Sequence, residues 1–199
     1  RCQHRLPAAE EVRVATRMGV HYTHSTEDRQ SQPTAEDPEN TQIRISDGTA
    51  IFDLDALAPN SQVRRARYQM FCADVGLKYR GFSFEAEYFV RWITDFKVAG
   101  IIPFHRFFDQ GFQVQTSYMV SQTLQVYVSP SKIFGQFGDP WDVSVGVNWY
   151  PILKEGFRRN FRVNAEVITM RRSPVGYSSI QYLVGGSGPV FNLNVELFF

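Results

Sequence analysis

Apolar residues recur at every second position through most of the chain. A side-chain period of two marks β-strands with one apolar and one polar face. The alternation opens over residues 12–24, where Val12, Val14, Thr16, Met18, Val20 and Tyr22 oppose Arg13, Ala15, Arg17, Gly19, His21 and Thr23. It resumes over 65–79, with Phe71, Ala73, Val75, Leu77 and Tyr79 set against Asp74, Gly76 and Lys78. Arg80-Gly81 then turns the chain into 82–92, where Phe82, Phe84, Ala86, Tyr88, Val90 and Trp92 alternate with Ser83, Glu85, Glu87, Phe89 and Arg91. This is the clearest hairpin in the sequence. Further strands are predicted at 112–120, 124–129, 141–150, 161–167 and 191–199.

The eight predicted strands are joined by connections that run long, tight, long, tight, medium, medium, long. In an antiparallel meander that order places all the longest connections at one end. Membrane barrels show the same asymmetry, with short periplasmic turns and long extracellular loops. A soluble sandwich gives the same alternation, so other features must separate the two. Several strands run well past the roughly 5–6 residues usual in soluble sheets and reach the roughly 9–11 that cross a bilayer. Aromatics gather near strand ends on the apolar face: Tyr79, Phe82, Trp149, Phe161 and Phe199 at one end, Tyr22, Trp92, Phe112 and Phe191 at the other. The terminal strand places Phe191, Leu193, Val195, Leu197 and Phe199 on one face and stops on an aromatic. It resembles the C-terminal strand of bacterial outer-membrane barrels, which the barrel-assembly machinery reads. The expected fold class is all-β, an antiparallel up-and-down transmembrane β-barrel of which eight strands are seen here. Residues 1–10 are an N-terminal segment, and 11–199 form the barrel strands with a long extracellular loop at 25–61.

Composition narrows the alternatives. Among 199 residues, 43% are hydrophobic and 21% charged, which argues against disorder. Aromatics reach 15%, and the net charge is +1 with no lysine-rich stripe, so a nucleic-acid partner is not expected. The longest apolar run, 98–104, is interrupted by Gly100 and Pro103 and is far short of the roughly 20 residues of a membrane helix. Barrel strands carry a much weaker hydropathy signal, so a membrane remains open. No signal peptide opens the sequence, and the chain is expected to be mature or a fragment. Cys2 and Cys72 have neither metal-ligand spacing nor a framework of bridges.

One resemblance is more specific. The run Asp74-Val75-Gly76-Leu77-Lys78-Tyr79-Arg80-Gly81-Phe82-Ser83-Phe84-Glu85-Ala86-Glu87-Tyr88-Phe89 is similar to the later strands of the phosphate-selective porin O and P family. Residues 143–150 and the closing Val195-Glu196-Leu197-Phe198-Phe199 resemble them too. The resemblance covers residues 11–199 and implies the C-terminal half of a 16-stranded, trimeric porin. Such a protein would sit in the bacterial outer membrane among lipids and lipopolysaccharide. It would pass small polar or ionic solutes, among them anions such as phosphate. The family's inward-folded constriction loop belongs to the first half, outside this sequence.

The polar face supplies the candidate pore lining: Arg13, Arg17, His21, Asp74, Lys78, Glu85, Glu87, Arg91, Asp142, Arg162 and Glu166, together with Gln113, Gln115, Asn148, Asn164, Asn192, Asn194 and Glu196. Five of these are basic and six acidic, a balanced wall rather than the basic excess of an anion filter. The plainer reading is cross-strand pairing that stiffens the wall. The sharper one is a transverse field that orients polar solutes. Arg64, Arg65 and Arg67, with Arg171 and Arg172, gather at the expected outer mouth, where they would attract anions or lipopolysaccharide phosphates.

Acidic residues Glu27, Asp28, Glu36, Asp37 and Glu39 lack the spacing and turn glycine of a calcium loop, so no metal site is expected. No cofactor motif appears, and no enzyme is expected. Two other classes stand beside the porin: a structural or adhesin-type barrel using residues 25–60, and a barrel hydrolase using His21 with Thr23, which share a face.

Overall fold

A computed structural model describes residues 14–30, 40, 42–152, 161–173 and 185–197. Eight strands form one antiparallel sheet in chain order: β1 (Ala15–Asp28), β2 (Gln62–Tyr79), β3 (Phe82–Ala99), β4 (Arg106–Met119), β5 (Leu124–Gly135), β6 (Trp141–Trp149), β7 (Phe161–Arg171) and β8 (Gly188–Leu197). No helix occurs among the described residues. Among the described residues each strand pairs only with its neighbours in sequence, so the sheet is open there and β1 and β8 are its edges.

Register fixes the faces. Met18 faces Val75, Val75 faces Ala86, and Ala86 faces Val114. Farther along, Val128 faces Val145 and Val145 faces Val167. Directly opposed residues share a side of the sheet, so the separate apolar stripes merge into one continuous face. Its centre is largely aliphatic, with Phe84, Tyr88 and Phe112 set among the aliphatic side chains. Tyr79, Phe82, Tyr118, Trp149 and Phe161 flank it on one side, and Tyr22, Trp92, Phe108, Phe134 and Trp141 on the other. Trp92 and Phe108 meet with ring centroids 5.8 Å apart. The face is uncovered: Met18 is 86% exposed and Phe191 76%. Arg80 and Gly81 both take positive φ, 45° and 82°, as a two-residue hairpin turn matched to strand twist requires.

Strand lengths differ from the sequence expectation at the end remote from that turn. There β1 runs on to Asp28, β2 begins at Gln62, β3 continues to Ala99 and β4 begins at Arg106. β5, β7 and β8 are extended in the same direction. Residues 25–28 therefore belong to β1 rather than to a loop. The reason is a reversal of polarity. On the polar face Ile93 and Phe107 are fully buried, while Thr94 and Arg106 lie on the other face, so the alternation loses its phase.

Their cover is the connection between β1 and β2. Ile43, Ile45, Ile51, Phe52 and Leu57 form one cluster with Val63, Ala66, Ile93 and Phe107, and Tyr68, Phe96, Ile102, Phe104 and Phe137 pack around it. Each fully buried Ile, Val or Phe among them contributes about 1.5–3 kcal/mol. A tight turn shapes the segment: the Ile45 amide donates to the Thr49 carbonyl at 2.9 Å, and the Thr49 amide donates to Asp47 Oδ1 at 2.9 Å. Ser46 Oγ accepts from the Phe137 amide at 3.1 Å, and Ser46 rests where a Cβ on Gly135 would otherwise lie. Residues 42–61 thus lie across the polar face from β2 to β5.

Candidate functional site

The polar face has chemistry along its whole width. On β1 and β2, Arg17 pairs with Asp74 at 3.0 Å. A Cβ at Gly19 would collide with Asp74 Oδ2, so the glycine lets this carboxylate lie across the strand. Lys78 and Glu85 stand 3.8 Å apart, both well exposed, an arrangement worth little in water. Arg91 is paired with Asp109 beneath the inward-lying segment, its Nε donating to Oδ2 at 3.0 Å. Here the side chains are only 17% and 0% exposed. Arg162 meets Glu196 across β7 and β8 at 2.5 Å.

Three other carboxylates have neutral partners among the described residues. Glu87 Oε1 accepts from the Cys72 thiol at 2.8 Å. Glu166 accepts from the Tyr127 hydroxyl at 2.7 Å and from Asn192 Nδ2 at 3.0 Å. Asp142 accepts from the Ser131 hydroxyl. To reach Glu166 and Asn164, the Tyr127 ring crosses Gly146, where a Cβ would lie 2.5 Å from its outer atoms.

Below this lies a row of amides. Asn194 donates to Asn164 at 3.3 Å, Asn164 to Asn148 at 3.0 Å, Asn148 to Gln125 at 3.0 Å, and Gln125 to the Ser117 hydroxyl at 2.9 Å. The row spans β8 to β4 and every donor points the same way. Such chains polarise one another.

All the predicted lining residues that are described lie on this face; Arg13 lies outside the described residues. His21 Nε2 is 3.0 Å from Thr23 Oγ1, as two residues sharing a strand face permit. The arginines at the strand ends are not brought together. Arg64, Arg65 and Arg67 lie on β2 and Arg171 on β7, with four strands between them. Arg67 pairs with Asp95 at 2.8 Å. In register it faces Thr94, which faces Arg106, and Arg65 faces Lys97. This places Arg65 and Arg67 on the margin of the apolar face. Arg172 takes positive φ, 53°, and its amide donates to Ser187 Oγ.

Sequence reasoning missed Asp109, the amide row and the seat of Ser46 on Gly135. Asp109 was legible in principle, because counting back by twos from Gln113 through Gly111 reaches it. Nothing local to Ser46 announces a partner 89 positions away (135 − 46). Among the described residues no group of three His, Cys, Asp or Glu is placed to hold a metal, and no helix is long and apolar enough to cross a membrane. No family model, no curated protein and no solved structure matches the chain.

Proposed function

We propose that the chain forms part of an outer-membrane β-barrel channel through which small polar or ionic solutes diffuse passively. The observation that carries this reading is the two-sided sheet. An uncovered apolar face runs across eight strands of 9 to 18 residues, largely aliphatic in the middle and aromatic at both margins, opposite a hydrogen-bonded polar face. Soluble monomers rarely expose apolar patches beyond a few hundred Å². A lipid-facing band between aromatic girdles, with a polar interior, accounts for both faces.

The open edges call for more strands, because unpaired strand backbone is not tolerated in hydrocarbon. A sheet of about 16 strands leaves an aqueous channel, whereas about eight close on their own side chains. This accords with the resemblance to the C-terminal half of a phosphate-selective porin O and P family barrel, and with it a homotrimer, contact with lipopolysaccharide and delivery by the barrel-assembly machinery. No catalytic residues are assigned. The adhesin reading is disfavoured, since residues 42–61 direct their apolar side chains onto the sheet. For a hydrolase, His21 and Thr23 supply a pair without an oriented third group among the described contacts.

The test is planar-bilayer conductance of the protein purified from its native membrane, with intact mass taken on the same sample. Large, ohmic steps from a chain about twice this length, as the strand arithmetic requires, are expected. Silence from protein that has inserted would overturn the channel.

A further inference from the structure

We infer that the channel wall formed by these strands favours cations over anions. The inference rests on the diffusion-channel reading and concerns the class of solute that this wall attracts. Below the outer rim, where Glu27 and Arg64 sit, the polar face carries four basic side chains among the described residues: Arg17, Lys78, Arg91 and Arg162. Each stands against a carboxylate of its own, namely Asp74, Glu85, Asp109 and Glu196. Paired in this way, the four cations present little net positive charge to a passing ion. Glu87, Asp142 and Glu166 remain, held only by a thiol, hydroxyls and an amide.

Those neutral donors orient the carboxylates without cancelling their charge. Asp109 enlarges the excess, because it occupies Arg91, the cation that would otherwise offset one of the three. Glu87 is exposed, on the face that would line the channel. It shares its row across the sheet with Asp74, Gln113, Ser131 and Asp142, so two of the three uncompensated charges stand on one line of paired residues. A wall with excess carboxylate raises the local concentration of cations and lowers that of anions, the more so at low salt.

The experiment is the reversal potential across a tenfold KCl gradient, measured on the full protein from its native membrane. Glu87→Gln with Glu166→Gln is expected to lower the K⁺-to-Cl⁻ permeability ratio about threefold at low salt, with the difference shrinking at high salt. Replacing a whole pair, Arg17→Gln with Asp74→Asn, is expected to leave the ratio where it was. The shift, rather than the starting value, is decisive, since the remaining strands add their own charges. Glu87→Gln alone carries the test if the change at Glu166 upsets its contacts with Tyr127 and Asn192. A conducting double variant with an unchanged ratio, or one shifted toward K⁺, overturns the inference and leaves the channel standing. Inserted wild-type protein without conductance sinks both.

Discussion

Arg91 and Asp109 show how far a single pair is governed by its surroundings. On an open wall such a pair is worth little. Under the Phe52 and Phe107 cluster neither group has ready access to water, and removing one partner leaves the other charged and buried. Arg91→Leu alone is therefore expected to destabilise the protein by about 3–5 kcal/mol, read from urea unfolding in lipid vesicles followed by tryptophan fluorescence. Combining Arg91→Leu with Asp109→Leu should recover most of that loss. A double variant as unstable as the single would mean that the pair's own attraction, not the stranded charge, dominates. Gly146 belongs to the same scale. Its missing Cβ is what lets Tyr127 lie flat and bridge β5 to β7.

Among the elements, the connection between β1 and β2 carries the largest consequence. It is held by apolar side chains and by Ser46 on Gly135, and it occupies the face that would line the channel. Charging it from within, with Ile45→Asp and Phe52→Asp together, should release it. Single-channel conductance is then expected to rise, and protease should cut within residues 42–61. A released segment with unchanged conductance would show that it does not narrow the passage. The strands themselves were legible wherever one face stays apolar: the 82–92 hairpin, the tight Arg80-Gly81 turn and the alternation around Val145 all stand where the sequence places them. Legibility failed where a distant segment changes what a face touches. Ile93 and Phe107 read as breaks in a strand because their cover lies more than thirty residues away in sequence. The basic residues at the strand ends lie at one end of the sheet, as their positions along the strands require. Their spacing around that end was not legible, because only the sheet order puts four strands between β2 and β7.

At the scale of the molecule, the two edges govern behaviour. β1 and β8 expose Met18, Val20, Phe191 and Leu193 together with unpaired backbone groups, a template for pairing with other chains. The 199-residue chain refolded alone in detergent is expected to self-associate through these edges, and size-exclusion chromatography with light scattering would show it. A monodisperse monomer would mean that β1 and β8 can close on one another after all. The amide row has a consequence of another kind. A strand displaced by two residues still turns its apolar side outward, so greasy contact does not distinguish it from the true alignment. The row does. A two-residue slip of β7 against β6 sets Asn164 opposite Gly146 or Tyr150 in place of Asn148, and the run of like amides breaks. Five strands share that run, so it works as a vernier, proofreading even-numbered misalignments that hydrophobicity lets pass.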